Sequence, residues 1–587
     1  MVARVTLEIA LRREFDYLIP PELEGRVEVG TRVKVPFGHR QVLGCVTGLA
    51  EQSDYDALKP IAKIIGAQSL VTTRVLELAR WIAEYYCCAT ETALKSVLPD
   101  AVRKEQEGWR ERLHVRLLPG DDGVGELTKR QLEVYQVIEE NRSLPLQELL
   151  QITGTTAPTV RKLEDKGLIE IAPQISERDP YANEEIVPTQ PLTLNAEQAV
   201  ALEAINDRPG KFFLLHGVTG SGKTEVYLQA IAAALEQGRG AIVLVPEISL
   251  TPQTVERFKA RFSSGPLKTL VAVLHSHLSA GERHDEWHKI RQGRAKIVIG
   301  ARSAIFAPVE PLGLIIVDEE HEHSYKQEES PRYHARDVAV VRGQREGATV
   351  VLGSATPSME SYHNAQRGRY QLLEMPSRAD DKQMPLVRVQ DMRTEKSKGD
   401  QGPPIFSQRL KEAIHNRLEQ GEQTILFLNR RGFATSMQCP DCGFVAECPN
   451  CSLSLTYHRR EQFLRCHVCG HGTAAPRRCP GERCGSPKIR FHGLGTEKVE
   501  DVLRKLFPRA NVTRMDSDAL KRKDDYRRIL GDFRRGKIDI LVGTQMIAKG
   551  LHFPRVTLVG IVYADTGLHL ADFRAGERTF QLLTQVA

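Results

Sequence analysis

A glycine-rich loop is the feature of the sequence that most restricts its fold. It lies in the stretch FFLLHGVTGSGKTEVYL, where Gly217, Gly222, Lys223 and Thr224 fit the pattern G-x-x-x-x-G-K-[ST]. An apolar, strand-like segment precedes the loop and a helical segment follows it. This placement predicts a strand, a phosphate-binding turn and a helix in that order, an arrangement typical of α/β sheets.

The residues of this loop are suited to binding a nucleoside triphosphate. Glycines let backbone N–H groups wrap around phosphates, and the start of the helix adds a partial positive charge. We expect Lys223 to reach the β- and γ-phosphates and Thr224 to offer its hydroxyl to Mg²⁺. The predicted nucleotide-binding residues are Gly217, Val218, Thr219, Gly220, Ser221, Gly222, Lys223, Thr224 and, upstream, Gln198.

A pair of carboxylates completes the expected chemistry. In the stretch LGLIIVDEEH, Asp318 directly follows an apolar run, where it can hold Mg²⁺ through water. Glu319 is then placed to orient or deprotonate the attacking water. The loop and the carboxylates together predict nucleotide hydrolysis, with Lys223, Thr224, Asp318 and Glu319 as catalytic residues.

Short apolar runs alternate with amphipathic helices through most of the chain after residue 190. Runs such as AIVLVP and ATVVLGSA are spaced for βαβ crossovers and predict a parallel-sheet lobe over 190–375. A second set, including QTILFL and VTLVGIVYAD, predicts another lobe over 385–587, interrupted by a cysteine-rich insertion at 437–486. We therefore expect a multidomain α/β protein with two such lobes.

Two smaller units precede the lobes. Residues 1–105 begin with alternating runs such as ARVTLEIA and end in helical patterns, which predicts a small β-rich domain closed by helices. Residues 120–175 show three short helical patterns followed by Gly167 and the strand-like LIEI, the pattern of a winged helix. The winged helix is either a packing module or a unit that binds nucleic acid or a partner, and its usual docking geometry favours binding.

Eight of the 11 cysteines lie between positions 439 and 484. They form four close pairs: Cys439 with Cys442, Cys448 with Cys451, Cys466 with Cys469, and Cys479 with Cys484. Clustered cysteines in a reducing compartment indicate metal rather than disulfides, and eight thiolates make two closed, tetrahedral Zn²⁺ sites. Three pairings are open, but the segment between Cys451 and Cys466 alternates like a hairpin, which favours joining the inner pairs and leaving the outer pairs together.

Composition and charge place the chain among soluble proteins. No apolar run is long enough to span a bilayer, and the N-terminal residues mix acids with apolar residues, unlike a signal peptide. We therefore expect a cytoplasmic protein with no membrane partner. The formal charge of +6, from 81 basic and 75 acidic residues, is compatible with nucleic-acid binding.

The order of the motifs resembles the superfamily 2 DNA helicases: GVTGSGKTE, VPEISLTPQ, GARSAIF, DEEH, GSATPS and GTQMIAKG follow one another. The stretches FDYLIP, SYKQEESPRYHARDVAVVR and ADFRAGERTFQLLTQVA, with the four cysteine pairs, make the chain similar to the PriA family of bacterial primosomal helicases. The resemblance covers essentially the whole chain. It implies two RecA-like lobes and an ATP-dependent 3′ to 5′ helicase that recognises stalled forks and D-loops and initiates primosome assembly.

The resemblance also implies a bacterial, nucleoid-associated location, and it implies partners. These are branched and single-stranded DNA, primosome proteins and single-stranded-DNA-binding protein. Residues after the DEEH box mix ring and basic side chains that can stack on bases and contact phosphates, and the family has a loop here that couples strand binding to hydrolysis. The predicted DNA-binding residues of this loop are Tyr325, Lys326, Arg332, Tyr333 and Arg336. Because EESP stands where the family often carries a Trp, we expect weaker stacking.

The N-terminal domain of the family captures the 3′ end of a nascent strand. The resemblance implies that Asp16 and Gly38 take part in this pocket, with Phe15 and Lys59 nearby. Glycine permits close backbone approach, and a carboxylate can accept hydrogen bonds from a base edge or a terminal hydroxyl.

The chain departs from the family pattern in three further places. The last cysteine pair, in CPGERCG, has two more intervening residues than the family's CPxCG, and Leu551 replaces a His or a polar residue. The chain stops at RTFQLLTQVA, whereas the family continues into GRAGR, so the resemblance implies a truncation inside the last helicase motif. On that expectation, the alternative function is a fork-binding scaffold with an impaired ATPase.

Overall fold

The structure is a computed structural model. It describes residues 1–7, 13–55, 57–65, 71–98, 111–118, 127–141, 143–175, 186–247, 252–263, 268–276, 278–380, 385–395, 404–428, 437–439, 441–458, 461–466, 468–481, 483–487, 489–491, 496–515, 523–544, 553–568, 570 and 572–586. Most of the motif GTQMIAKG, with Leu551, and the final Ala587 lie outside these residues. The chain forms two compact units, residues 1–213 with 224–352 and residues 214–223 with 353–587.

A five-stranded antiparallel sheet forms the N-terminal domain. Its spatial order is β2 (Phe15–Leu18), β1 (Val2–Leu7), β4 (Arg40–Ala50), β3 (Arg32–Phe37) and β5 (Lys63–Ile65). Valines of three neighbouring strands, Val5, Val33 and Val46, are fully buried in one apolar core, as expected of a sheet with one solvated face. Two helices follow: α1 (Thr73–Tyr85) and α2 (Thr90–Val97).

Three helices and a small antiparallel sheet form the next unit. The helices are α3 (Lys129–Asn141), α4 (Leu146–Thr153) and α5 (Ala157–Asp165), and the sheet has the order β7 (Ser143–Pro145), β6 (Glu111–Leu117), β8 (Ile169–Ile175). Val115 of β6 is fully buried among the helices. The unit thus begins with β6, before the predicted boundary at 120, because that strand pairs with β8 over seven residues far along the chain.

A seven-stranded sheet forms the core of the first predicted lobe. Its spatial order is β11 (Leu270–Leu274), β12 (Ala295–Gly300), β10 (Gly240–Leu244), β13 (Leu312–Asp318), β14 (Thr349–Ser354), β9 (Phe212–Gly217) and β15 (Gln371–Met375). β10 runs parallel to both β12 and β13, and β11 runs parallel to β12. The associated helices are α6 (Ala196–Asp207), α7 (Lys223–Glu236), α8 (Pro252–Phe262), α9 (Ala280–Arg291), α10 (Ala335–Glu346) and α11 (Met359–Gln366).

A four-stranded parallel sheet forms the second lobe. Its order is β22 (Val512–Met515), β23 (Ile540–Gly543), β16 (Gln423–Leu428) and β24 (Val556–Val562). Its helices are α12 (Gln408–Glu419), α13 (Thr496–Leu506), α14 (Lys523–Arg534) and α15 (Ala575–Val586). Between β16 and α13, the insertion contains the strand pair β17 (Met437–Gln438) and β21 (Arg490–Phe491), and the sheet β18 (Thr456–His458), β19 (Phe463–Arg465), β20 (Gly472–Ala474).

These sheets agree with the predicted fold class of two parallel-sheet lobes, a β-rich N-terminal domain and a cysteine-rich insertion in the second lobe. Among the helices of the described residues, none has both the length and the hydropathy required to cross a bilayer.

Candidate functional site

The glycine-rich loop connects β9 to α7 as predicted. Gly220 and Gly222 have φ angles of 83° and 82°, a left-handed conformation that glycine adopts without strain. A Cβ atom at Gly217 would lie 2.6 Å from the Ser221 Oγ atom, so the turn closes only around glycine. The Lys223 Nζ atom donates to the carbonyl oxygens of Gly217 (2.6 Å) and Val218 (3.4 Å). The ammonium group is thus held over the loop, and its side chain is largely buried.

Gln198 lies at the start of α6, where its side chain shapes the backbone. Its Oε1 atom accepts a hydrogen bond from the Asn195 backbone N–H, and the Asn195 Oδ1 atom accepts one from the Gln198 N–H, both at 2.9 Å. This reciprocal capping satisfies two N–H groups of the first turn of the helix. In this structure the side-chain oxygen of Gln198 therefore caps the helix end.

Two tyrosines hold Asp318 at the end of β13. The Tyr227 hydroxyl, on α7 one turn after Lys223, donates to Asp318 Oδ1 (3.1 Å). The Tyr325 hydroxyl donates to the Asp318 backbone oxygen (2.7 Å). Burial, and then the nearby Asp318 charge, raise the pKa of both hydroxyls well above the ordinary value. Both groups therefore stay protonated at neutral pH and act as hydrogen-bond donors to Asp318.

Glu319 has an unusual backbone conformation. Its φ angle is 47°, in the left-handed region that non-glycine residues rarely adopt. The His321 Nδ1 atom lies 3.6 Å from Glu319 Oε2, and the Glu319 carboxylate is partly exposed, whereas the His321 ring is almost fully buried. Such strain is found at functional sites, where the surrounding structure maintains it. The conformation turns the chain directly after β13, so Asp318 and Glu319 do not follow the alternation of an extended strand.

The loop after the DEEH box differs from the prediction in which side chains it exposes. Tyr325 and Tyr333 are each 1% exposed. Tyr325 bonds to Asp318, and the Tyr333 ring packs edge-on against Phe306 with centroids 5.2 Å apart. In this structure neither ring is exposed for stacking on a base, and the contact of these two tyrosines with DNA stays a prediction. Their burial anchors the loop to the sheet.

Arg336 is also placed differently from the prediction. Its Nη1 atom donates to Glu320 Oε2 (3.1 Å) and its Nε atom to Asp337 Oδ1 (3.1 Å). The Glu320 carboxylate is fully buried, and the Arg336 side chain is 11% exposed. The guanidinium therefore neutralises a buried charge instead of facing solvent. Lys326 and Arg332, by contrast, are at least partly exposed.

We predict that Arg336→Ala destabilises the first unit, because it leaves the Glu320 charge buried without its partner. Breaking such a buried pair costs about 3–5 kcal/mol. The matched control Arg332→Ala removes an exposed arginine of the same loop and should leave stability unchanged while weakening single-strand binding severalfold. Urea unfolding followed by fluorescence of the buried Trp287 measures the first effect. If Arg336→Ala keeps the stability of the parent but loses DNA binding, the result would support the predicted contact of Arg336 with DNA.

A pocket of about 570 Å³ lies beside this loop. It is bordered by Glu247, Ser276, Arg283, Arg302 and Lys326, with the buried Trp287 in its wall. Arg302 Nη1 donates to the backbone oxygens of Lys326 (2.9 Å) and Ser324 (3.4 Å), so it fixes the loop at the pocket rim. Three cations, Arg283, Arg302 and Lys326, and three carboxylates, Glu247, Glu328 and Glu329, line the pocket, so it is polar but not uniformly basic.

The four residues predicted for the 3′-end pocket lie around β2. Asp16 Oδ2 accepts a hydrogen bond from the Ser53 hydroxyl (2.6 Å), and the Phe15 ring packs edge-on against Phe37 (5.4 Å). Gly38 follows Phe37 in an exposed turn with a φ angle of 59°, and nothing lies within 4 Å of a Cβ atom added there. The backbone oxygen of the exposed Lys59 accepts from the N–H of Leu18, at the end of β2.

The eight clustered cysteines form two groups in the insertion. One group is Cys439, Cys442, Cys479 and Cys484, and the other is Cys448, Cys451, Cys466 and Cys469. Within each group the sulfur atoms all lie within 4.8 Å of one another. This is the nested pairing that the hairpin pattern favoured, since β18 and β19 bring the inner pairs together. Four convergent thiols fit a closed tetrahedral Zn²⁺ site.

The thiols within each group affect one another's protonation. A hydrogen bond that Cys451 donates to Cys469 raises the pKa of Cys451 to about 12, whereas the His471 backbone N–H lowers the pKa of Cys469 to about 6. A divalent ion bound by four thiolates would compensate for their negative charges. In the outer group, the longer spacing is accommodated by a turn in which Arg483 has a φ angle of 59° and the Cys484 N–H donates to the Gly481 oxygen.

Comparison with known proteins identifies the family. Family models match as follows: a 3′ DNA-binding domain (3′BD) at residues 4–99, a DEAD/DEAH box helicase at 195–365, the PriA DNA helicase Cys-rich region at 448–473, and a helicase conserved C-terminal domain at 491–579. The replication restart protein PriA of Bacillus subtilis is 43% identical, over 100% of this chain and 81% of that protein. Its counterpart in Haemophilus influenzae is 41% identical over 100% and 80%. The chain belongs to the PriA family of replication restart helicases.

PriA membership makes the chain a DNA-binding helicase of replication restart, with a zinc-binding, cysteine-rich region in its second lobe. The sequence did not point to several residues whose contacts stabilise these helicase segments. Tyr227 follows the glycine-rich loop and Arg302 lies within GARSAIF, but the sequence does not show what either side chain contacts, because their partners are distant in the chain. Arg574, within ADFRAGERT, forms an ion pair with Glu360, and the Glu577 carboxylate accepts from the Met359 N–H (3.0 Å). These contacts link the segment after GSATPS to α15.

Proposed function

We propose that this chain hydrolyses ATP with Mg²⁺ and uses the energy to move 3′ to 5′ along single-stranded DNA, separating strands at stalled forks and D-loops. The observation that carries the proposal is the position of Asp318. This carboxylate accepts a hydrogen bond from the helix that Lys223 begins, and its backbone accepts one from the loop beside the polar pocket. Nucleotide hydrolysis at Asp318 and a DNA strand bound in the pocket would thus both affect the short segment that joins Asp318 to the loop.

Each residue of the nucleotide site has a distinct role in this proposal. The N–H groups of residues 217–224 would bind phosphate oxygens, and the Lys223 ammonium would exchange its carbonyl partners for the β- and γ-phosphates. Thr224 and Asp318 would hold Mg²⁺, which supplies charge neutralisation at the transferred phosphoryl group. Glu319 would accept a proton from, or orient, the attacking water. Tyr227 would keep Asp318 in position.

The DNA would contact the first unit at two places. We assign the strand on which the motor moves to the polar pocket, where the hydroxyl of Ser276 and the cations Arg283 and Lys326 can contact phosphates. We assign the 3′ end of a nascent strand to the surroundings of Asp16, with Phe15, Gly38 and Lys59 beside it. The family model for a 3′ DNA-binding domain, which matches residues 4–99, supports this second assignment.

The remaining modules would serve recognition and assembly. The winged helix would contact the branched DNA, and the zinc-binding insertion, with both cysteine groups as Zn²⁺ ligands, would take part in strand separation. Primosome proteins and single-stranded-DNA-binding protein would be its protein partners. The closed thiol sets favour a structural role for zinc, because four thiolates fill its tetrahedral coordination.

Strand polarity provides the direct test of the proposed movement. Two partial duplexes with the same paired region are compared, one with a single-stranded 3′ tail and the other with a 5′ tail of equal length. With ATP and Mg²⁺, we expect the chain to unwind the 3′-tailed duplex and to leave the 5′-tailed duplex paired. Glu319→Gln is the control, since it should bind both DNAs but unwind neither. Preferential unwinding of the 5′-tailed duplex would contradict the proposal.

A further inference from the structure

A stacked pair of aromatic rings lies on the surface of α1. The rings of Trp81 and Tyr85 have centroids 4.9 Å apart and planes inclined by 22°. The Tyr86 ring stands edge-on to both, at 6.1 Å from Trp81 and 5.0 Å from Tyr85. Tyr85 is 64% exposed. We call Trp81, Tyr85 and Tyr86 the α1 aromatic platform.

The platform adjoins the loop that follows the DEEH box. The Tyr86 hydroxyl accepts a hydrogen bond from the His334 backbone N–H (3.1 Å). The Lys326 Nζ atom lies 5.3 Å from the centroid of the Tyr86 ring, within the range of a cation–π contact. Burial raises the pKa of the Tyr86 hydroxyl, so the group remains neutral in this contact. The platform therefore lies next to Lys326 of the loop.

The other side of α1 reaches the predicted 3′-end site. Arg80, the residue before Trp81, donates from Nη2 to the Thr47 oxygen (2.8 Å) and to Glu14 Oε1 (3.3 Å). Glu14 directly precedes Phe15 and Asp16. The helix thus bridges the strand that carries Asp16 and the loop that carries Lys326. It also lies within the segment that matches the 3′ DNA-binding domain of PriA proteins.

The chemistry of this surface fits single-stranded DNA. Proteins that bind single strands combine cations for the backbone with aromatic rings on which bases stack. Because Tyr325 and Tyr333 are buried, the loop itself offers cations but not these two rings, and α1 supplies exposed rings beside them. The surface around the platform also carries the at least partly exposed acidic residues Glu77, Glu84 and Asp337, so it is not uniformly basic. Its chemistry therefore favours base stacking over purely electrostatic binding.

We propose that the α1 aromatic platform is a base-stacking site for single-stranded DNA between the 3′-end site and the helicase loop. The inference deepens the proposed function, because it rests on the strand contacts assigned above and names a further part of the path. Tyr85 provides the outer face of the stack, Trp81 supports it from beneath, and Lys326 with Arg332 contacts phosphates of the same segment.

Equilibrium binding tests the platform without any need for a working motor. The affinity of the full chain is measured for an oligothymidylate and for an abasic oligonucleotide of equal length, which keeps the phosphates but has no bases. We expect Tyr85→Ala to weaken binding of the oligothymidylate about tenfold, the loss that corresponds to one base stacked on an aromatic ring. Binding of the abasic strand should be unchanged. Tyr85→Phe keeps the ring and should bind both strands as the parent does.

Tryptophan fluorescence gives an independent readout. Trp81 is on the platform, whereas Trp287 is buried, so a base stacked on the platform should quench emission, and Trp81→Phe should abolish that quenching. Equal binding of the oligothymidylate by Tyr85→Ala and the parent would overturn the proposal, and so would an equal loss for both strands. If Tyr85→Ala shows the base-dependent loss but the parent fails the strand-polarity test, the platform stands and the proposed motor function fails.

Discussion

Lys223→Ala is expected to lower DNA-stimulated ATP hydrolysis on the order of 10³-fold, the scale on which loss of a preorganised charge at a transferred phosphoryl group reduces turnover. The Lys223 ammonium is held over the loop by the Gly217 and Val218 carbonyls, and Lys223 is the basic residue of this loop. Alanine cannot replace its charge at the phosphates. Affinity for a forked DNA should stay within about twofold of the parent, because the regions assigned to fork recognition, such as β2 and the winged helix, are not part of this loop.

The measurement is steady-state phosphate release with and without forked DNA, accompanied by a DNA-binding titration in the absence of nucleotide. Lys211→Ala is the matched control, since this exposed lysine precedes β9 outside the phosphate loop and should retain full activity. Undiminished hydrolysis by Lys223→Ala would refute the assignment of the loop. A parallel loss of fork binding would instead mean that the variant is misfolded or that the two functions share one site.

Cys448→Ser is expected to abolish metal binding at the inner cysteine group and to unfold the insertion around it. The zinc content should fall from about two ions per chain to about one, because the remaining three thiols lose the closed tetrahedral set. The buried core of the insertion consists of Met437, Ala446, Leu455, Leu464, Ile489 and four of the cysteines themselves. So few apolar side chains cannot replace the contribution of the metal to folding.

Metal analysis and limited proteolysis measure these effects. Cys45→Ser is the matched control, because Cys45 is buried in the N-terminal sheet, outside both groups, and the zinc content should stay near two. The Cys448→Ser variant should also lose unwinding, while ATP binding at the loop in the first lobe is retained. Two zinc ions in Cys448→Ser, or resistance of the insertion to protease equal to that of the parent, would contradict the prediction.

Features that depend on neighbours in the chain were predictable from the sequence. The turn around Gly220 and Gly222 needs left-handed backbone angles that glycine supplies, so the motif by itself specifies the shape of the loop. The grouping of the cysteines followed from the alternating segment between Cys451 and Cys466, since a hairpin fixes which of its two ends meet. In both cases the residues that decide the structure lie within a short stretch of the chain.

Features that depend on contacts between distant parts of the chain were not predictable from the sequence. Sequence order gave no sign that β6 joins the sheet of the winged helix, because its partner β8 lies more than fifty residues away. The aromatic residues after the DEEH box look suited to stacking, but burial of Tyr325 depends on a backbone oxygen of β13 and burial of Tyr333 on Phe306. Arg336 likewise pairs with a carboxylate that the sequence alone does not mark as buried.

The sequence by itself thus determined the family, the phosphate loop, the acidic pair and the cysteine pairing, since local turn chemistry and ligand spacing carry that information. Only the tertiary structure decided which rings face solvent. Exposure is a property of packing between segments: Tyr325 and Tyr85 belong to the same residue type, yet one is enclosed by the sheet and the other lies on a helix surface. The DNA contact that we assign to α1 rests on that difference.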